Sequence, residues 1–304
     1  MLTDLTDTTT ASIRAALAIT RDQMGGPATG VVLNLIVVTD ESGQHDAVRA
    51  ASQAGREHPC RILAVISRDA RSASRLDAEI RSGEGTPGQT VLLRLYGPMS
   101  EHADSVIMPL LVPDTPVVTW WYGLLPAVPS AQPLGLLAQR RVTDAARAKA
   151  PTEALAALSA GYKPGDTDLS WTRATPWRSL LAATVDQEQC PIVGGVVLAE
   201  EHNPTADLLS AWLSERLDAR FTRQISEGPG ITEVRMQTDD GDVVISRPDG
   251  RVATLTRPGQ PERHVALQRR EIADLLAEEL RRLDPDEIYG EALAYVAGTP
   301  ATTG

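Results

Sequence analysis

The feature that most constrains the fold is an apolar run near the start of the chain, Val31–Thr39 (VVLNLIVVT), which only Asn34 interrupts. Its β-branched residues predict a strand that is buried on both faces. The Ala-rich segment Gln44–His58 then predicts a helix, and Arg61–Ser67 (RILAVIS) predicts a second strand. Because strand–helix–strand connections are right-handed parallel crossovers, this order indicates an α/β fold.

Hydrophobic periodicity and turn residues predict further elements along the rest of the chain. The predicted helices are Thr8–Met24, Ser100–Leu111, Leu134–Ala148, Thr152–Ala160, Pro176–Val185, Pro204–Leu217, Glu271–Leu283 and a last helix that starts near Pro285 with Asp284 as its cap. The predicted strands are Leu76–Arg81, Val91–Tyr96, Pro116–Tyr122, Val193–Ala199, Ala219–Ser226, Thr232–Gln237, Val243–Ser246, Arg251–Thr256 and Arg263–Leu267.

The two halves of the chain show the same order of predicted elements, which favours two α/β domains with mixed sheets. We place the domains at residues 1–165 and 166–304, dividing near Gly161–Gly165. Internal duplication is one explanation of the shared order. The similarity is one of pattern and not of residues.

Composition limits the classes of function. The chain has 304 residues, 42% of them hydrophobic, and a formal net charge of −11. The apolar fraction predicts a folded core, and the negative charge argues against nonspecific binding to nucleic acid or to an anionic membrane. The acidic, Thr-rich start has neither a basic region nor an apolar region of the signal-peptide type, so we expect a cytoplasmic protein.

Sequence motifs for catalysis, metals or cofactors are weak. Residues 83–88 (GEGTPG) match G-x-G-x-x-G, but the next segment reads as a strand and Pro87 removes an amide donor, so we interpret them as a hairpin loop. Cys60 and Cys190 form no C-x-x-C pair, which argues against a zinc site or a disulfide framework. His58 beside Cys60 is interpreted as a helix stop before a buried cysteine. We therefore predict no catalytic residues, cofactor or metal.

Aromatic residues end the predicted strand Pro116–Tyr122. In an alternating strand Trp120 and Trp121 point to opposite faces, so one can be core while the other packs elsewhere. A loop, the other domain and a protein partner remain open as its contact. Trp120, Trp121 and Tyr122 are therefore candidate partner contacts.

The stretch Gly165–Arg178 (GDTDLSWTRATPWR) concentrates charged and aromatic residues. Thr175-Pro176 reads as an N-cap followed by proline at the first helical position, and Asp168 reads as the cap of a preceding short turn, approached by Asp166. The remaining side chains can stack on each other or contact a partner. The candidate partner contacts in this stretch are Asp166, Asp168, Trp171, Arg173, Trp177 and Arg178. Alternatively, Trp171 and Trp177 only hold the domains together.

Several stretches resemble the glucose-6-phosphate dehydrogenase assembly protein family, OpcA. They are His102–Trp121 (HADSVIMPLLVPDTPVVTWW), Ala138–Ala145 (AQRRVTDA), Ala160–Arg173 (AGYKPGDTDLSWTR) and Glu57–Arg61 (EHPCR). The close match covers roughly His58 to Asp186. It adds Arg140 and Arg141 to the candidate partner contacts.

The resemblance implies a non-enzymatic protein that associates with glucose-6-phosphate dehydrogenase and promotes its active oligomeric state, and so its NADP-dependent activity. A redox switch in this family would need a reactive dithiol, which is in doubt here because no C-x-x-C occurs. The alternative is a sugar-phosphate or nucleotide sensor, or a small-molecule enzyme, whose α/β pocket holds phosphate through Arg140, Arg141 and Arg173.

Overall fold

A computed structural model describes residues 1–23, 31–69, 71–82, 89–188 and 190–298. The helices are α1 (Thr10–Gln23), α2 (Gln44–Ala54), α3 (Ala103–Ile107), α4 (Pro133–Leu136), α5 (Pro151–Gly161), α6 (Leu169–Arg173), α7 (Thr175–Val185), α8 (Pro204–Leu217), α9 (Ile272–Arg281) and α10 (Glu287–Gly298). The strands are β1 (Leu2–Leu5), β2 (Leu33–Thr39), β3 (Cys60–Ser67), β4 (Arg75–Arg81), β5 (Thr90–Tyr96), β6 (Val117–Trp121), β7 (Arg140–Thr143), β8 (Asp166–Asp168), β9 (Ile192–Ala199), β10 (Arg220–Ile225), β11 (Ile231–Thr238), β12 (Val243–Ser246), β13 (Val252–Thr256) and β14 (Arg263–Ala266).

The chain forms two compact units that interleave along the sequence. The first unit comprises residues 1–144, 165–167 and 272–285, and the second comprises residues 145–164, 168–271 and 286–304. The division into domains at residues 1–165 and 166–304 stays a prediction.

The first unit is built on an eight-stranded mixed sheet in the order β1-β4-β5-β3-β2-β6-β7-β8. Strands β5, β3, β2, β6 and β7 pair in parallel, whereas β4 pairs antiparallel with β5 and with β1. Asn34 stays in the buried strand β2 because its amide oxygen accepts from Val112 N (2.8 Å) and its amide nitrogen donates to Thr115 Oγ1 (2.6 Å). Asn34 therefore holds the segment that leads into β6 against β2.

The second unit is built on a six-stranded mixed sheet in the order β10-β9-β11-β12-β13-β14. Strands β9 and β10 are parallel and are joined through α8, whereas the remaining neighbours are antiparallel. The predicted α/β class with two mixed sheets is confirmed. The shared order of elements does not extend to a shared strand order.

One predicted helix is wrong. Leu134–Ala148 contains the short helix α4 and then the strand β7, in which Arg140 and Arg141 are both buried. Each arginine is neutralised by a carboxylate from another part of the first unit: Glu279 for Arg140 and Asp166 for Arg141. The segment around Asp166, which was predicted to be a polar lead into the turn capped by Asp168, is likewise a buried strand, β8. Long-range ion pairing overrides local helix propensity here.

Two predicted helix starts shift by a residue or two. Asp286, and not Asp284, caps α10, since its Oδ1 accepts from Tyr289 N (2.9 Å). Helix α7 includes Thr175, and its N-cap is Ala174. Such shifts are common because helix ends fray.

Candidate functional site

Asp168 has a structural task in the second unit. Its Oδ1 accepts from Ser170 N (2.8 Å) at the start of α6, and its Oδ2 accepts from Ala145 N (2.8 Å). The predicted capping role is confirmed. A carboxylate that is fully buried and hydrogen-bonded in this way fixes the entry into α6.

Trp171 is an internal anchor of the second unit, with 1% of its surface exposed. Its indole nitrogen donates to Asp286 Oδ2 (2.8 Å), and its ring centre lies 5.9 Å from that of Tyr289. The Arg178 guanidinium carbon lies 3.6 Å from the Trp171 ring centre, a cation–π contact. Trp171 and Arg178 are thus brought together, as the sequence suggested for Trp and Arg.

Trp177 belongs to the apolar core of the second unit and is 2% exposed. The guanidinium carbon of Arg247 lies 4.9 Å from its ring centre. Arg173, which ends α6, is half-buried. Among the candidates of this stretch, Arg173 and Arg178 therefore retain the most exposed surface.

The aromatic cluster of the first unit is buried. Trp120, Trp121 and Tyr122 are each 5% exposed or less, and Trp120 meets Tyr122 edge to face at 5.3 Å. A methyl group added at Gly135 would come within 3.3 Å of the Trp121 ring, so helix α4 packs closely on that side chain. Both tryptophans have contacts inside the unit, and partner binding through them stays a prediction.

The crevice of the first unit where a doubly wound sheet usually binds a nucleotide is acidic and is closely packed at Gly43. In a doubly wound sheet this crevice lies where the strand order reverses, here between the carboxyl ends of β2 and β6. A methyl group at Gly43 would lie 2.8 Å from Thr39 Oγ1 and 3.1 Å from the Tyr122 ring. Asp40 Oδ1 accepts from Ser42 Oγ and Gly43 N (both 2.7 Å), and these bonds lower the pKa of Asp40. A pyrophosphate there would face a fixed negative charge.

The second unit contains a cavity of about 270 Å³. Its lining includes five arginines, Arg147, Arg173, Arg247, Arg269 and Arg270. Glu200 is the one carboxylate among the lining residues that the structure describes. Of the three arginines proposed from sequence as phosphate ligands, this cavity includes Arg173, whereas Arg140 and Arg141 are held in the ion pairs of the first unit.

A helix begins at the cavity. Asn203 caps α8, since its Oδ1 accepts from Ala206 N (3.0 Å), and Pro204 and Thr205 of the first turn also line the cavity. The first turn of a helix leaves backbone N–H groups without intrahelical acceptors and carries the positive end of the helix dipole. This end of α8 follows β9 in the parallel β9–α8–β10 crossover, a usual position for an anion site.

Arg247 carries a buried charge in the lining. The residue is 5% exposed, and its guanidinium donates to the carbonyls of Leu267 (2.9 Å) and Ile231 (3.0 Å). Within the described ranges no carboxylate lies within 4.0 Å of it, and its Nε has no acceptor. Burial, and then repulsion by Arg269, lower the pKa of Arg247 to about 10. A bound anion would offset both effects.

Sequence reasoning missed most of this cavity. Arg147, Arg247, Arg269 and Arg270 come from different segments, so no local spacing brings them together. The one available signal was Asn203-Pro204, a typical helix start. The strands on either side of Arg247, Val243–Ser246 and Arg251–Thr256, were predicted, but a site beside them was not.

The described histidine, cysteine, aspartate and glutamate side chains form no group of three that could hold a metal ion. Cys60 is fully buried at the start of β3, as predicted, and burial raises the pKa of its thiol to about 12. The motif at residues 83–88 lies outside the described residues. Within the described ranges no helix is both long and apolar enough to cross a bilayer.

Comparison with solved structures finds distant likenesses. An NAD binding oxidoreductase from Klebsiella pneumoniae is 10% identical, with a TM-score of 0.44, over 89% of this chain and 96% of that chain. The UDP-N-acetylglucosamine 3-dehydrogenase GnnA from Acidithiobacillus ferrooxidans is 12% identical, with a TM-score of 0.35, over 88% of this chain and 96% of that chain. At these TM-scores neither likeness bears on the function. No curated protein sequence matches the chain.

Two protein-family models match most of the chain in sequence order. Residues 51–160 match the N-terminal domain of a glucose-6-phosphate dehydrogenase subunit, named OpcA_G6PD_assem. Residues 164–293 match the C-terminal domain of the same subunit, named OpcA_G6PD_C. The second match covers the arginine-lined cavity, except for Ala146 and Arg147, and extends the recognisable sequence well beyond Asp186. The chain belongs to the OpcA family of glucose-6-phosphate dehydrogenase assembly proteins.

Proposed function

We propose that this protein binds glucose-6-phosphate dehydrogenase and promotes its active oligomeric state without catalysing a reaction itself. The observation that carries the proposal is the pair of family models, both of which describe a subunit of that dehydrogenase. Their matches span both halves of the chain, so the proposal concerns the whole protein and not one unit.

An activator of this kind must bind the active state of the enzyme more tightly than the inactive state. A coupling free energy of about 1–3 kcal/mol changes the equilibrium between the two states about 5–150-fold. Oligomer assembly can supply this coupling free energy, because a partner that bridges two enzyme subunits stabilises the assembled form.

Arg173 is the best candidate contact in the sequence-derived set. Most other members of that set are buried, whereas Arg173 is half-buried at the end of α6. Arginine is favoured at protein interfaces because its guanidinium combines a charge, five donors and a flat surface. We propose that Arg173 lies at the edge of the docking surface.

The test is an activation titration with two charge-reversal variants in the second unit. Arg173→Glu is expected to raise the concentration needed for half-maximal activation, whereas the matched change Arg263→Glu, on an exposed residue of β14, is expected to leave it unchanged. Equal behaviour of the two variants removes Arg173 from the docking surface. Absence of activation by the unmodified protein removes the proposed function.

A further inference from the structure

We propose that the arginine-lined cavity of the second unit is a binding site for a small phosphate ester. Five arginines face one carboxylate there, in a chain whose formal net charge is −11. Such a concentration of positive charge is not a consequence of composition. Guanidinium groups match the oxygens of a phosphate with two parallel hydrogen bonds, which lysine cannot provide.

The buried arginine is an independent observation. Arg247 is more than nine-tenths buried and is held by two carbonyl oxygens and the Trp177 ring, with no carboxylate within 4.0 Å in the described part of the chain. Burying a charge without an adjacent carboxylate is costly, and the more distant Asp249 offsets only part of the effect of burial on the pKa of Arg247. An anion in the cavity supplies the remaining compensation, and it also separates the like charges of Arg247 and Arg269.

The helix end adds directional donors. Thr205, in the first turn of helix α8, lines the cavity and carries a backbone N–H group and a hydroxyl group. Backbone N–H groups at a helix N-terminus donate hydrogen bonds to the oxygens of a bound phosphate group, and the helix dipole favours its negative charge. Arginines and a helix end that converge from different segments indicate a built site and not an accidental patch.

The size of the cavity limits the ligand. A volume of about 270 Å³ lies just below the usual range of about 300–1,000 Å³ for cofactor-sized pockets. It favours a compact ester, such as a sugar phosphate, over a dinucleotide. Gln268 and His202 line the same cavity and offer polar groups for the hydroxyls of a sugar.

Calorimetry on the isolated full-length protein tests the site without the dehydrogenase, so its outcome is independent of the proposed function. The probes are inorganic phosphate, glucose 6-phosphate, glucose and NADP at constant ionic strength. We expect inorganic phosphate and glucose 6-phosphate to bind and to compete with each other, and glucose to give no heat. Absence of binding by both phosphates up to millimolar concentration overturns the proposal, and tighter binding of NADP than of glucose 6-phosphate overturns the size argument.

Matched variants locate the binding. Arg269 lines the cavity and is exposed, so Arg269→Ala should leave the fold intact, whereas Arg263 is exposed on the same unit and does not line the cavity. Loss of one charge-assisted contact is expected to weaken phosphate binding about ten-fold or more in Arg269→Ala. Arg263→Ala should bind within about two-fold of the unmodified protein. If the two variants bind phosphate with equal affinity, the site does not lie in the arginine-lined cavity. Thermal melts establish that both variants are folded.

Discussion

The indole nitrogen of Trp171 donates a 2.8 Å hydrogen bond to a carboxylate oxygen of Asp286, which lies 115 residues further along the chain. The other oxygen of the same carboxylate caps α10 by accepting from Tyr289 N. One side chain thus joins α6 to the start of α10 within the second unit. This arrangement gives Trp171 a structural role that accounts for its burial.

Trp171→Ala is expected to lower the free energy of unfolding by about 3–5 kcal/mol, because it empties a fully buried aromatic site. Trp171→Phe keeps most of the ring and removes the hydrogen bond to a charged group, so its cost should be smaller, about 1.5–3 kcal/mol. Urea unfolding followed by circular dichroism measures both. Trp212→Phe, at a half-buried position of α8, is the control and should cost less than Trp171→Phe. Equal midpoints for Trp171→Ala and the unmodified protein would contradict the anchoring role.

The buried pair Arg140–Glu279 gives a second stability prediction. Both side chains are at most 5% exposed, and Arg140 Nε lies 2.9 Å from Glu279 Oε2. Removing one partner leaves the other charge buried, so Arg140→Met or Glu279→Gln should each cost about 3–5 kcal/mol. The double variant should cost clearly less than the sum of the two.

The exposed pair Arg49–Asp46, whose side chains are 71% and 59% exposed, is the control for the variants of the buried pair. Arg49→Ala should change the free energy of unfolding by at most about 1 kcal/mol, because solvent screens the charges. Single variants at Arg140 and Glu279 that are as mild as Arg49→Ala would show that the buried pair is not formed.

Adjacent glycines in β9 make a matched pair. A methyl group at Gly195 would lie 2.3 Å from the Arg235 carbonyl oxygen and 2.3 Å from the Phe221 ring, whereas at Gly194 the nearest atom is the Arg220 carbonyl oxygen at 3.2 Å. Gly195→Ala is therefore expected to destabilise the protein by about 1–3 kcal/mol or more, through overpacking. Gly194→Ala should have a clearly smaller effect in the same thermal melts. The reverse order would contradict the pairing of β9 with β11.

The two cysteines should react at different rates. A thiol reacts as its thiolate, so burial and a pKa of about 12 should keep Cys60 unreactive towards an aromatic disulfide reagent until the protein unfolds. Cys190 is partly exposed, and its thiol donates to Asp240 Oδ2 (2.8 Å), which raises the pKa of Cys190. Asp240→Ala removes this bond and should speed the reaction of Cys190 at pH 8. Asp242→Ala is the control, and a native Cys60 that reacts as fast as Cys190 would contradict the burial.

Sequence periodicity predicted the elements that carry their own apolar pattern. Strand β3 and helix α2 are recognisable because burial on both faces of a strand, or on one face of a helix, is encoded in neighbouring residues. Strands β7 and β8 were missed because their charged residues become strand-compatible only when Glu279 and Asp166 neutralise Arg140 and Arg141. Such partners are invisible to local rules.

In the candidate site, too, roles that depend on neighbouring residues could be predicted, whereas contacts between distant segments could not. Asp168 was predicted as a cap because capping is local, and the structure places it there. The arginine-lined cavity could not be predicted, since Arg147 and Arg269 lie more than a hundred residues apart in the sequence and meet only through the fold of the second unit. Arg173 was predicted as a partner contact together with Trp171 and Trp177, and the structure shows that both tryptophans are buried.

A titration of purified glucose-6-phosphate dehydrogenase with the purified protein tests the proposed activation. Complex mass by light scattering and the initial rate of NADP reduction are measured on the same samples. We predict a complex of defined mass and a rate increase that saturates at the same molar ratio. If the mass and the rate of the dehydrogenase both remain unchanged at saturating protein, the proposed function is wrong.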